Sequence, residues 1–278
     1  MEIMKKALKN TIKKLAAWTL TAASLLTLGA CGKENSSKGA SDLSYVKDKG
    51  SLVVGVTRFE PMDYMEGEEW VGFDADLAKA FGEDLGVSVE FQEINWESKE
   101  VELQAKSIDC LWNGLTWSEE RAKQMGVTKA YLTNKQCLVV KPELEQNIKD
   151  IKNLNGLTVA AEAGSAGESY VKENLSGIKY IEKTAQIDCL TELKMGTIDA
   201  CVIDLIMAEY LTNKEGSDFQ GLVPLPEVLD SATEDYVVAF RKESDLVDKA
   251  NAFFDAKMKD GSLKELANRY KLSQALPQ

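Results

Sequence analysis

The sequence predicts an α/β protein of two lobes, each an open sheet with helices packed on it, and three observations predict it. Its 278 residues suffice for two cores at roughly 100–200 residues each. From Leu52 onward short apolar strands alternate with amphipathic helices, and the alternation runs through twice. Both runs carry one local signature: Glu102-Leu103 stands six residues before Ile108-Asp109, and Glu192-Leu193 six before Ile198-Asp199. Each marks a helix turning into a buried strand.

Residues 1–30 read as an export signal, because Lys5, Lys6, Lys9, Lys13 and Lys14 precede an apolar run from Leu15 to Leu28 that is too short for a membrane span. The run ends Leu28-Gly29-Ala30-Cys31, which resembles the bacterial lipobox and implies lipid attachment at Cys31. Residues 31–50 are rich in Ser, Gly, Lys, Asp and Asn, with little to bury, and read as a flexible tether. In the first run, Leu52–Val56 is a strand, Asp76–Leu85 a helix stopped by Gly86, Val87 to Phe91 an alternating strand, Glu97–Lys106 a helix and Ile108–Trp112 a strand. The second run has strands at 157–161, 178–181 and 198–203, with helices from Ser165, from Ala185 and after Asp204. A strand at 236–241 and helices near 244–259 and 262–270 close the chain.

Composition removes whole classes of chemistry. The chain has no histidine, which excludes Ser-His-Asp and Cys-His catalysis, histidine metal sites and a histidine pH switch. Its net charge is −12, and beyond residue 30 it is −16, so the body repels nucleic acid. Cys110, Cys137, Cys189 and Cys201 are an even count in an exported protein, which allows disulfides, but three of them lie in apolar runs, which favours free buried thiols; no CxxC spacing supports zinc.

Ligands of open α/β sheets sit beyond the carboxyl ends of the strands, so candidate residues are sought there. The first run ends in Trp112-Asn113-Gly114-Leu115-Thr116, where Gly114 permits close backbone approach, Thr116 offers a hydroxyl and Arg121 a planar fork for a carboxylate. In the second run Gly164-Ser165-Ala166-Gly167-Glu168 opens a helix whose free N–H groups face an anion. Asp204, at a strand end, is placed to hold a cation, and Phe59 and Trp96 stand where rings would flank an apolar stem. A zwitterion satisfies all of these. Glu60, Asp63 and Glu162 are expected near its side-chain end.

From about Gly50 to Tyr270 the chain resembles the bacterial extracellular solute-binding proteins of family 3, the polar amino-acid receptors of ABC importers. Val71-Gly72-Phe73-Asp74-Ala75-Asp76-Leu77 matches the family's signature segment, with Ala75 smaller than usual. Gly114-Leu115-Thr116 followed by Arg121 matches the element that holds the ligand's α-carboxylate; Ala163-Gly164-Ser165 is similar to the second-lobe anion loop; Asp204 occupies the ammonium position, and Phe59 and Trp96 resemble the flanking rings. The acidic residue some members carry before the first ring is replaced by Val56 and Thr57, which argues against a strictly cationic side-chain preference.

The resemblance implies a bilobed type II periplasmic-binding-protein fold with lobe 1 at 51–133, lobe 2 at 134–234 and the rest of lobe 1 at 235–278, joined by two hinge strands. It implies an extracytoplasmic lipoprotein that captures an L-amino acid by closure and delivers it to an ABC permease with its ATPase, as a monomer on the membrane, without cofactor. A dehydratase acting on cyclic amino-acid precursors, with Glu162 as its acid, and a ligand-sensing domain are the alternative readings.

Overall fold

A computed structural model describes residues 41–277. The export segment, Cys31 and the tether as far as residue 40 lie outside the described residues. The tether was expected to run to residue 50, but Asp42–Lys49 is a helix docked on the body. Ser41 caps it by accepting from the Ser44 N–H at 3.0 Å, Gly50 closes it in the left-handed region, and Val46 is fully buried. Asp42 accepts from Arg241 Nε at 3.0 Å, so the segment buries one valine and one ion pair rather than hanging free.

In chain order the strands are β1 (Ser51–Val56), β2 (Tyr64–Glu66), β3 (Glu69–Val71), β4 (Ser88–Glu93), β5 (Cys110–Thr116), β6 (Met125–Val127), β7 (Leu132–Asn134), β8 (Gln136–Val140), β9 (Thr158–Glu162), β10 (Lys179–Lys183), β11 (Ala200–Asp204), β12 (Val223–Leu225) and β13 (Glu234–Arg241). The first sheet has the order β4-β1-β5-β13-β6, with β7 also paired to β13; the second has the order β10-β9-β11-β8-β12. In the first, β1 runs parallel to β4 and β5, and β13 antiparallel to β5. In the second, β9 runs parallel to β10 and β11, and β8 antiparallel to β11. The β2–β3 hairpin lies apart. The chain leaves the first sheet after β7, crosses at Lys135 and returns through β13, so the lobes are joined where β7 and β13 run side by side.

The repeated Ile-Asp pair has a physical role in both lobes. Asp109 donates its N–H to the Val53 carbonyl at 2.7 Å and accepts the Val53 N–H on its carboxylate at 2.9 Å. Asp199 does the same with Thr158, at 2.9 and 2.8 Å. Each aspartate thereby pins the start of one central strand to its neighbour.

The helix expected at Asp76–Leu85 begins earlier, at Phe73, because Phe73 and Asp74 are both fully buried. The helix expected over 97–106 is a tight turn at Trp96–Ser98 followed by a helix at Lys99–Gln104. Trp112 belongs to the core: it packs on Phe254 and Phe81 with ring centroids 5.4 and 5.8 Å apart. The four cysteines are free and buried, as small apolar side chains. Among the described residues no helix is long and apolar enough to cross a membrane.

Candidate functional site

The ends of β1, β5, β9 and β11 converge between the two sheets on a narrow cavity. Phe59, Trp96, Gly114, Thr116, Arg121, Ser165, Ala166 and Asp204 all line it, together with Thr57, Asn113, Glu162 and Gln186. Strands of both lobes aim their carboxyl ends here, and the turns after them supply the polar groups.

The first-lobe wall is held from behind. Asp74 accepts the Gly114 N–H at 2.8 Å and the Tyr131 hydroxyl at 2.7 Å, which ties the signature segment to the loop beyond β5. Gly114 must be glycine: its φ is +57°, and a Cβ there would lie 2.5 Å from the Phe59 ring. Asn113 accepts from the N–H and hydroxyl of Thr57 at 3.1 and 2.9 Å and donates to the Thr57 carbonyl at 3.0 Å, locking the end of β1 to β5. Phe59 is buried and packs edge-on against Tyr236 at 6.4 Å. Trp96 is 5% exposed, and the Lys99 ammonium stands 5.2 Å from its ring centroid.

Arg121 sits in the short helix Glu119–Gln124, capped by the Ser118 hydroxyl, which accepts the Arg121 N–H at 3.2 Å. Its Nη1 donates to the Thr116 carbonyl at 2.6 Å and its Nη2 to the Gly164 carbonyl of the other lobe at 3.1 Å. Burial lowers the pKa of both Arg121 and Lys99, and Arg121's charge lowers Lys99 further. Lys99 Nζ also reaches the Gly164 carbonyl, at 2.9 Å.

On the second-lobe wall, Ser165 caps the helix Ala166–Asn174 by accepting the Glu168 N–H at 3.0 Å, and Glu168 returns to accept the Gly164 N–H at 3.0 Å. Asp204 accepts from the side-chain amides of Gln136 at 2.9 Å and of Asn134 and Gln186. Burial raises its pKa against the pull of those amides. Glu234 on β13 accepts from Thr116 at 3.1 Å and Gln136 at 2.9 Å, and burial followed by Asp204's charge pushes it up to about 7.

Of the three acidic residues expected near the side-chain end, Glu162 alone lines the cavity. Asp63 is fully buried behind the wall, accepting from Asn113 at 2.7 Å, and Glu60 pairs with Lys214 at 2.8 Å. Sequence reasoning missed Glu234, Lys99 and Gln186. Glu234 and Gln186 reach the site only through pairings distant in sequence, and Lys99 stands in no motif that sets it apart from the other lysines.

A family model described as "Bacterial extracellular solute-binding proteins, family 3" matches residues 52–273. The arginine-binding extracellular protein ArtP of Bacillus subtilis is 32% identical over 265 residues, covering 93% of this chain and 98% of that protein. The L-cystine-binding protein TcyJ of Escherichia coli is 27% identical over 231 residues, covering 82% of this chain and 85% of its own length. Among solved structures, the substrate-binding protein of an ABC uptake transporter from Streptococcus pneumoniae with bound histidine aligns with a TM-score of 0.79 and 30% identity, covering 86% of this chain and 99% of that one. The two sheets with their helices are thus the type II periplasmic-binding fold.

Proposed function

Because the chain belongs to the bacterial extracellular solute-binding proteins of family 3, we propose that its cavity holds the zwitterionic head of an L-α-amino acid between Arg121 and Asp204. The protein is a substrate-binding protein, not an enzyme, that captures an amino acid outside the cytoplasm and delivers it to an ABC import permease. The observation that carries the pose is that a guanidinium from one lobe and a carboxylate from the other line the same cavity. In this reading Arg121, Thr116 and the first N–H groups of the helix Ala166–Asn174 take the carboxylate, while Asp204 takes the ammonium. Phe59 and Trp96 cover the stem. Closure removes water, which strengthens each charge-assisted contact, and the ligand favours the closed state by its differential affinity.

The names of the relatives support an amino acid without fixing its side chain, since they include arginine and cystine binders and one structure holding histidine. We also propose that Cys31 carries the lipid anchor and that an ATPase powers the permease. A thermal-shift screen against the twenty amino acids plus cystine, ornithine and citrulline tests the ligand class. At a hundredfold excess over Kd the ligand adds about 2.7 kcal/mol of stability, a shift of several degrees. If no amino acid raises the midpoint, the reading fails. For the anchor, wild type and Cys31→Ser labelling equally with a fatty-acid analogue would exclude Cys31.

A further inference from the structure

Glu162 ends β9 in the second lobe and is 3% exposed; its Oε1 has no hydrogen-bond partner. It lines the cavity beside Trp96, Gln186 and Asp204. No cation contacts it among the described residues: the nearest candidate, Lys99, spends its ammonium on the carbonyls of Trp96 and Gly164 at 3.1 and 2.9 Å and on the Glu100 carboxylate at 3.4 Å. A buried carboxyl oxygen left without a partner is costly, and the residue that carries it lines the ligand cavity.

The cavity walls carry one guanidinium, Arg121, and two carboxylates, Asp204 and Glu162. A zwitterionic head answers Arg121 and Asp204 and leaves Glu162 over. A second positive charge on the ligand answers it. A second pocket that shares Thr116, Arg121 and Ala166 with the cavity adds Glu97, Glu100, Glu120, Glu173 and Glu234 against Lys99 and Arg121, a field that draws cations inward. We propose that Glu162 determines specificity by pairing with a guanidinium or ammonium on the ligand's side chain, so that the captured amino acid is a basic one. This rests on the zwitterion pose, and it supplies from the second lobe the acid that Val56 and Thr57 do not provide in the first.

The pairing has a proton signature. Burial first and Asp204's charge second raise the Glu162 pKa, with Lys99 and Gln186 opposing and Asp188, on the helix Gln186–Met195, adding to the rise. Without ligand the carboxyl therefore holds its proton well past the usual carboxylate range. An arriving cationic side chain favours the ionised form, and the proton leaves to solvent as the ion pair forms. Asp204 and Glu234 respond to the α-ammonium that every amino acid carries, so the side chain's contribution is the difference between a cationic ligand and its neutral isostere.

The test titrates the full chain in detergent with L-arginine and with L-citrulline, by calorimetry in two buffers of different ionisation enthalpy near neutral pH. Arginine should bind at least about thirtyfold tighter than citrulline and release more protons. Glu162→Gln should bring the ratio below about threefold and erase the proton difference. Citrulline binding as tightly as arginine, or a ratio unchanged by Glu162→Gln, overturns the proposal. If neither binds and a neutral or acidic amino acid does, the side-chain assignment falls while the Arg121–Asp204 pose survives; if no amino acid binds, both fall.

Discussion

Arg121 in the first lobe donates Nη2 to the Gly164 carbonyl in the second at 3.1 Å, so one side chain both bridges the cleft and lines it. With Nη1 on the Thr116 carbonyl, two of its five N–H groups hold backbone and the others are left for a carboxylate. The guanidinium is thereby oriented before any ligand arrives.

Arg121→Ala and Asp204→Ala should each weaken binding of the best ligand at least about thirtyfold, because each leaves a buried ligand charge without its partner. Calorimetry on the two variants checks this, with unfolding curves showing that the fold persists. Affinity unchanged in either variant would exclude its role.

Lys214, at the end of the helix Leu205–Asn213, reaches across to Glu60 at 2.8 Å and lies 5.6 and 5.4 Å from the ring centroids of Tyr64 and Tyr210. The pair is partly exposed, and such pairs are worth about 0.2–1 kcal/mol. Lys214→Ala should therefore cost only about two- to fivefold in affinity, mainly in the dissociation rate, and less at high salt. Stopped-flow release at two ionic strengths checks it; a loss of a hundredfold would make this contact part of the grip itself.

Trp96 should report closure. Of the tryptophans in the body, Trp112 is fully buried in the core and gives a constant background, while Trp96 faces the cavity. Trp96→Phe should keep most of the affinity and lose part of the ligand-induced fluorescence change; Trp96→Ala should cost about 1–3 kcal/mol. A Trp96→Ala variant that binds as wild type would move the side-chain pocket elsewhere.

Burial and the charge of Asp204 place Glu234 at about 7 in the folded protein, whereas the unfolded chain titrates near the ordinary value of 4.5. The folded state thus binds the proton more tightly. This support is complete below the unfolded value and lost as pH rises through about 7. Asp74, raised to about 7 by burial, adds in the same direction. The ligand-free protein should lose stability between pH ~5 and pH ~8, and Glu234→Gln should flatten that loss by at most about 3 kcal/mol. Parallel melting-temperature curves against pH would contradict the assignment.

Seven of the thirteen described strands could be read from the sequence, β1 and β11 as apolar runs, and the repeated Ile-Asp pairs sit where they pin neighbouring strands; the short β2, β3, β6, β7 and β12, and β8 beyond the crossing, were not predicted. The eight site candidates could be read because each stands near the carboxyl end of a strand or in the first turn of a helix. The docked helix Asp42–Lys49 could not, since one buried valine and polar bonds to Arg241, Asp245 and Asp109 hold it, and none of these leaves a periodic trace. Glu234 was hidden for a related reason: β13 brings it beside Asn134 only through a pairing of strands a hundred residues apart.

Arg241 gathers that docked helix to the sheet, donating to Asp42, to Asp109 at 3.3 Å and to the Ile108 carbonyl at 2.9 Å. It is 6% exposed, so Arg241→Ala strands the Asp42 carboxylate, leaves Asp109 with Lys49 alone and should destabilise the protein by about 3–5 kcal/mol. Asp42→Ala should cost less, since Asp109 still pairs with the guanidinium. Urea unfolding of both variants checks the order; equal, small losses would mean the helix is not coupled to the core.

The most direct measurement is a crystal structure of the protein grown with the amino acid that raises its melting temperature most. The ligand's carboxylate is expected within about 3 Å of the Arg121 guanidinium and the first N–H groups after Ser165, with its ammonium on the Asp204 carboxylate. A ligand lying in this cavity with its head reversed, or bound outside the space between Arg121 and Asp204, would contradict the account.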